Sequence, residues 1–379
     1  MPLGAGPLDR QDDGIFFFRP DGQDERFLRG YLPEGDFGGA ILAGRLLAPH
    51  PVGSIERDRG ARGDELFWTL EDSATPWIGD PDTPYLAHCT RDELPAKRLG
   101  LMPHAELYDL PWTLDLLRDD DALQAIVRNA VTAYNRSFAA AAVYFEASSA
   151  NDPFMEINLR AVAETKASSG GDPVCAFVQM PLDALIDGAM AQMAARYAHA
   201  GARIAVLRVV GFHADECDTQ QALAYVDCVR AWRACGILPI ADCTGRFGAA
   251  LVAAGAWGFS GGARFYRRVI GPGTPPFDGP KRARSVHLEV SGEWRSMTAA
   301  QARRRRKLPR CVREDCDPLA TDNQPTRLKA HFVHEFVRLA RAAAALGEAR
   351  VAEQLERAPG GQSSVWASAL SARRAVQEQ

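Results

Sequence analysis

The sequence predicts a (β/α)8 TIM-type barrel followed by a C-terminal helical appendage that carries cysteines and histidines. Strand and helix patterns alternate from Ala140 to Gly262 with a repeat of about 30 residues. The strand candidates are unbroken apolar runs, such as Val174–Gln179 (VCAFVQ) and Arg203–Phe212 (RIAVLRVVGF). Such runs mark strands covered by helices on both faces of a parallel sheet. Several of these runs end on a polar residue, as expected where strands open onto a common mouth. An open doubly wound sheet is the competing arrangement, but no Gly-rich dinucleotide fingerprint follows a first strand.

In chain order, residues 1–38 read as an N-terminal arm containing one short strand candidate, Ile15–Pro20. Residues 39–270 read as the barrel, with Gly39–Leu47 (GAILAGRLL) as its first strand. Glu65–Thr75 (ELFWTLEDSAT) is the next strand, ending in Glu71, Asp72 and Ser73, and Pro76, Pro81 and Pro84 then impose a loop. Residues 100–104 (GLMPH) give a weak strand pattern. The patterns that follow are sharper. Asp119–Asp121 caps a helix to about Ser137, with Leu123, Ile126, Val127 and Ala130 on one face. Ala140–Ser148 is a strand containing Glu146, and Asp152-Pro153 opens a helix to about Ser168. Val174–Gln179 precedes a helix from Leu182 to His199, and Arg203–Phe212 precedes a helix from Thr219 to Cys235. Ile237–Gly262 then supplies strand, short helix and strand, closing on Gly261-Gly262. Residues 271–379 form the appendage: a strand candidate at Ser285–Val290, a basic run at 303–307, helix Arg327–Leu346, and a last helical segment broken at Pro359-Gly360-Gly361.

With 379 residues, 46% of them hydrophobic, the chain can bury a large core. A net charge of −4 excludes the strongly basic class of nucleic-acid binders. The N-terminal segment lacks the charged start and apolar core of a secretory signal, and no apolar run reaches membrane-spanning length. A cytoplasmic protein with reduced cysteines and no membrane partner is expected.

If the barrel forms, polar residues at strand ends face one mouth. Asp72, Glu146 and Asp242 are the candidate acid/base or nucleophilic carboxylates. Gln179, Arg208 and Arg246 are candidates for holding substrate, the arginines as bidentate partners of an anion. The amides of Gly261 and Gly262 could approach a phosphate, or the pair could be glycine only because a turn requires it. Cys311, Cys316, His331 and His334 are the possible zinc ligands; the histidines lie three apart and share a helix face. The run Arg303–Lys307 is either a solvated basic face or a nucleic-acid contact.

In its second half, the order of features resembles the tRNA-guanine transglycosylase superfamily. Phe177-Val178-Gln179 looks like the strand whose glutamine contacts the base, and Arg208-Val209-Val210-Gly211 like the next strand, which brings a glycine to the pocket. Residues 311–316 (CVREDC) resemble the CxCxxC of the zinc insert, and His331 with Arg338-Leu339 resembles the ligand histidine and its helix. Three positions differ. Ser260 stands where the family has its catalytic aspartate, Arg313 replaces the middle zinc cysteine, and Met180-Pro181 replaces a glycine pair. The resemblance implies a protein acting on or binding a nucleoside, base or nucleic acid, with zinc. The alternatives are a barrel that has lost catalysis and serves as a binding or scaffold protein, and an unrelated barrel hydrolase or lyase using the same carboxylates.

Overall fold

The computed structural model describes residues 13–20, 38–44, 75–90, 103–135, 137–262, 287–289, 296–298, 325–358 and 360–372. Eight parallel strands form a nearly closed barrel: β1 (Ile15–Phe18), β2 (Gly39–Ala43), β3 (Trp77–Asp80), β4 (Ala140–Ala141), β5 (Val174–Pro181), β6 (Ala202–Val210), β7 (Leu238–Ala241) and β8 (Gly258–Gly261). The hydrogen-bonded order is β3-β2-β1-β8-β7-β6-β5-β4. The seam between β3 and β4 is stitched mainly by side chains. Phe138 N–H donates to the Trp77 carbonyl at 3.2 Å. Ser137 Oγ donates to the same carbonyl at 3.0 Å and accepts from Gly79 N–H at 3.3 Å. Thr83 Oγ1 accepts from Tyr144 N–H at 2.9 Å and donates to the Tyr144 carbonyl.

The helices are α1 (Leu114–Arg118), α2 (Asp120–Ala133), α3 (Pro153–Ser168), α4 (Leu182–Ile186), α5 (Ala189–Ala200), α6 (Thr219–Ala234), α7 (Phe247–Ala253), α8 (Pro325–Arg357) and α9 (Gly361–Ser371). Their starts follow capping chemistry. Asp119 accepts from Ala122 N–H, Asp152 from Phe154 N–H with Pro153 in the first turn, and Asp218 forms a reciprocal capping box with Gln221.

Several elements differ from the sequence reading; the strand expected over Ala140–Ser148, for one, joins the ladder only at Ala140–Ala141. The barrel begins at Ile15, not Gly39, because β1 pairs with β8 from Ile15↔Gly258 to Phe18↔Gly261 and with β2 on its other side. The third strand is Trp77–Asp80, in the proline-rich stretch read as a loop; Pro76 precedes the strand and Pro81 follows it, where neither removes a ladder donor. The pattern at 100–104 is no strand in its described part, since Pro103–Glu106 is a 3-10 turn. The helix expected over Leu182–His199 is two helices, broken where Gly188 takes φ 79°.

The appendage shares the barrel's outer core. Phe332 and Phe336 of α8 pack on Phe16 of β1, with ring centroids at 6.0 and 5.1 Å, and Trp366 of α9 lies 5.7 Å from Phe247 of α7. The helix pattern at 327–346 and the one after it join into α8, which bends at Gly347. A two-stranded antiparallel ribbon pairs His287–Glu289 with Ser296–Thr298. No described helix is long and apolar enough to cross a membrane.

Candidate functional site

Period-2 alternation builds the site. One set of strand residues fills the barrel interior, including Phe17, Ile78, Phe177, Val206 and Ile240. Two residues further along the same five strands come Arg19, Asp80, Gln179, Arg208 and Asp242. Each therefore points inward at the C-terminal end, where barrel sites form. In β8 the equivalent side chain is Ser260, fully buried and level with Phe17.

Two arginines and two aspartates meet there. Arg19 donates from Nη2 to Asp80 Oδ2 at 2.6 Å and from Nε to Asp242 Oδ1 at 3.0 Å. Arg208 donates from Nη1 to Asp80 Oδ2 at 3.1 Å, and its Nε lies 3.2 Å from Asp242 Oδ2. This last contact is an ion pair without hydrogen-bond alignment, since neither Arg208 Nε nor Asp242 Oδ2 has a hydrogen-bonding partner. Tyr144 O–H donates to Asp80 Oδ1 at 2.9 Å, accepts from Arg208 Nη1, and lies under the Arg208 guanidinium, 5.5 Å from ring centroid to Cζ.

The two carboxylates are not equivalent. Asp80 accepts four bonds: Arg19 and Arg208 on one oxygen, Tyr144 and the Asp82 N–H (2.9 Å) on the other. That fills its acceptor capacity. Burial alone would raise its carboxyl, but Arg19 and Arg208 outweigh burial and hold it at about 2. Asp242 Oδ1 accepts from Arg19 and from Ser260 Oγ, while Oδ2 has no aligned donor. Asp80 is thus the anchored carboxylate and Asp242 the one with an open lone pair. Both arginines stay charged: burial opposes this, and the neighbouring carboxylates overcome it. Burial pushes the Tyr144 phenol well up, so it stays a donor.

Asp242 is followed by Cys243 in a left-handed conformation, φ 56°, on the turn into α7. Cys243 N–H donates to Ser260 Oγ at 3.2 Å, and burial with the Asp242 charge pushes its thiol to about 12. Cys243 is therefore a neutral thiol here, not a resting nucleophile.

Of the residues expected from sequence, the structure brings Arg208 and Asp242 into the quartet. Gln179, in register with Arg208, donates from Nε2 to Glu146 Oε2 at 2.9 Å, which places Glu146 at the same end of the barrel. Arg246 is buried at the start of α7, one turn after Asp242. Gly261 accepts from Arg19 N–H at 2.9 Å, and a Cβ at Gly262 would lie 2.6 Å from the Arg19 carbonyl, so close packing of β8 on β1 requires that glycine. Asp72, Cys311, Cys316 and the basic run at 303–307 lie outside the described residues. His331 is fully buried in α8 and His334 half-buried, its imidazole pushed to about 4 by burial. Among the described residues no three His, Cys, Asp or Glu side chains gather as a metal site.

Sequence reasoning missed Arg19, Asp80 and Tyr144. The signal for two of them was present: Ile15-Phe17-Arg19 and Ile78-Asp80 continue the inward alternation of their strands. An open cleft of about 490 Å3 on the outer surface, between α3 and α5, is separate from this mouth and is lined by Leu159, Arg160, Arg196 and His199 among others.

No protein-family model and no curated protein matches the sequence. Solved structures with some likeness include a psychrophilic glycoside hydrolase family 10 endo-beta-1,4-xylanase, at 8% identity over 68% of this chain and 88% of that one, with a TM-score of 0.36. Another is nitroalkane oxidase from Streptomyces ansochromogenes, at 13% identity over 89% of each chain, with a TM-score of 0.27. Likenesses this slight say nothing about activity.

Proposed function

We propose that the protein acts on a nucleoside or base at the C-terminal mouth of its barrel. The carrying observation is the quartet itself: fixed charges of both signs, from four different strands, in one inward layer. Breaking a bond between sugar and base separates charge. The sugar carbon gains positive character, as in glycoside cleavage, and the departing base gains negative character. A site holding carboxylates and guanidiniums in fixed positions stabilises both ends without reorganising.

In this reading Asp242, whose Oδ2 lacks an aligned donor, lies beneath the arginines as charge partner of the sugar carbon, and acts as nucleophile only where ligand binding shifts the arginines above it. Arg208 and Arg19 take the developing anion. Glu146 serves as acid or base and orients the Gln179 amide, which reads a heterocycle edge. The resemblance to the transglycosylases supports the base as substrate. Within that resemblance, Ser260, standing for the family's aspartate, donates to Asp242, which would supply the carboxylate from the neighbouring strand. Zinc and a nucleic-acid partner belong to the same reading through Cys311, Cys316, His331, His334 and the basic run.

A second reading is a barrel that binds without catalysis. The sealing of both aspartate side chains, at 0% exposure, favours it. The experiment is a calorimetric screen of free bases and nucleosides, followed by turnover assays on any ligand found. Binding with turnover that Asp242→Asn abolishes supports the enzyme. Binding without turnover selects the scaffold, and no binding of either class sinks both.

A further inference from the structure

We propose that the quartet is a receptor for an oxyanion, a phosphate or carboxylate group of the ligand, held across Arg19 and Arg208. This deepens the reading of the same mouth but does not depend on a base being bound.

The quartet has no net charge, with two guanidiniums and two carboxylates, yet its charges are layered. The aspartate side chains are fully sealed, while those of Arg19 and Arg208 keep 14% and 11% of their surface. Arg19 donates from Nε and Nη2 to the carboxylates, while Arg208 donates from Nη1 to Asp80 and holds its Nε in an ion pair with Asp242. That leaves Arg19 Nη1 and Arg208 Nη2 with neither a hydrogen bond nor an ion pair to a carboxylate among the described residues, and neither is a sealed atom. What this cluster presents to an incoming ligand is a set of N–H donors over a floor of carboxylates. A group seated there meets the positive charges first and the negative ones a layer deeper. Coulomb energy falls with distance, so the net interaction favours an anion even though the cluster is neutral.

The geometry also sets the ligand's shape. Each guanidinium is held by the two sealed carboxylates, Arg19 by bonds to Asp80 and Asp242, Arg208 by a bond to Asp80 and an ion pair with Asp242. Arg208 is further held by Tyr144. The free nitrogens are therefore oriented before the ligand arrives, which suits a planar or tetrahedral group with two acceptor oxygens more than a single-atom anion. A lysine could supply the charge but not the fixed fork. A mouth with only donors exposed would not select a cation or a bare amine.

The test uses the full chain and inorganic phosphate, with sodium acetate and sodium chloride at equal ionic strength as comparison arms, read by thermal unfolding and by calorimetry. Phosphate should raise the unfolding temperature with concentration, well beyond chloride. Acetate separates the two sources: protection by phosphate alone assigns a phosphoryl group, protection by acetate alone assigns a carboxylate, and protection by both assigns an unselective oxyanion site. Arg208→Lys, and Arg19→Lys as a second variant in case the first unfolds, should bind at least tenfold more weakly. Failure of both anions to exceed chloride on the unaltered protein would overturn the proposal without any variant. Folded lysine variants that bind as well as the parent would overturn it too. Because these probes contain no base, a failed screen of bases and nucleosides leaves this result standing, and the reverse also holds.

Discussion

Replacing Asp80 with asparagine tests the quartet most directly, because Asp80 is the carboxylate with every acceptor site filled. Two routes give the magnitude. The drop of its carboxyl from 3.8 to about 2, at 1.36 kcal/mol for each tenfold change in proton affinity, corresponds to about 2–3 kcal/mol. Removing one partner of a buried ion pair costs about 3–5 kcal/mol, because the other charges stay buried without compensation. Arg19 and Arg208 would be left sharing Asp242, and the asparagine would have to turn an N–H2 toward one of the donors that Asp80 accepts. The expected loss at pH 7 is about 3–5 kcal/mol in urea unfolding. The pH dependence follows from the sign. The folded carboxyl lies below its unfolded value, so its contribution is fully present above about pH 4 and is lost as pH falls toward about 2. The gap between the parent and Asp80→Asn should hold from pH 7 to about 4 and narrow below that. A variant within about 1 kcal/mol of the parent at pH 7, or a gap that stays constant as the pH falls below 4, would refute the reasoning.

Other perturbations address neighbouring parts. Gly79→Ala would set a Cβ 2.4 Å from the Tyr134 ring, and overpacking of this kind should cost about 1–3 kcal/mol, measurable by denaturant titration. His104 is fully buried with neither ring nitrogen hydrogen-bonded, and burial pushes its imidazole from 6.5 to about 4. The folded state keeps it neutral while the unfolded state takes a proton, so stability should fall as pH drops from about 6.5 to 4. In His104→Phe that slope should flatten, and a slope identical to the parent's would refute the assignment. Trp366 of α9 donates from Nε1 to the Ala214 carbonyl at 3.2 Å, and Gln362 donates to the Cys217 carbonyl at 2.8 Å. Trp366→Ala should speed hydrogen exchange in the loop 211–218, downstream of Arg208, and leave the amides of β6 protected.

The repeating strand–helix units from Ala140 onward could be read from sequence because each strand is an apolar run closed by a capped helix, and both signals are local. Gln179, Arg208 and Asp242 were legible for the same reason, since Gln179 ends such a run, Asp242 follows one, and Arg208 is a charge within one. Trp77–Asp80 could not be read, because four residues among prolines carry no periodicity of their own. Its strand character comes from pairing with β2 and from the Ser137 and Tyr134 contacts of a segment more than fifty residues away. Ile15–Phe18 is legible as a strand but reads as part of the N-terminal arm, because nothing in its sequence announces β8 as a neighbour. The inequality of Asp80 and Asp242, and the sharing of two arginines between them, depend on stagger around a closed barrel. Sequence alone determined that polar groups would end apolar strands in a parallel barrel, because hydrophobic pattern and capping act over a few residues. Only the tertiary structure decided which of those groups meet, because Arg19, Asp80, Arg208 and Asp242 become neighbours solely through long-range strand pairing.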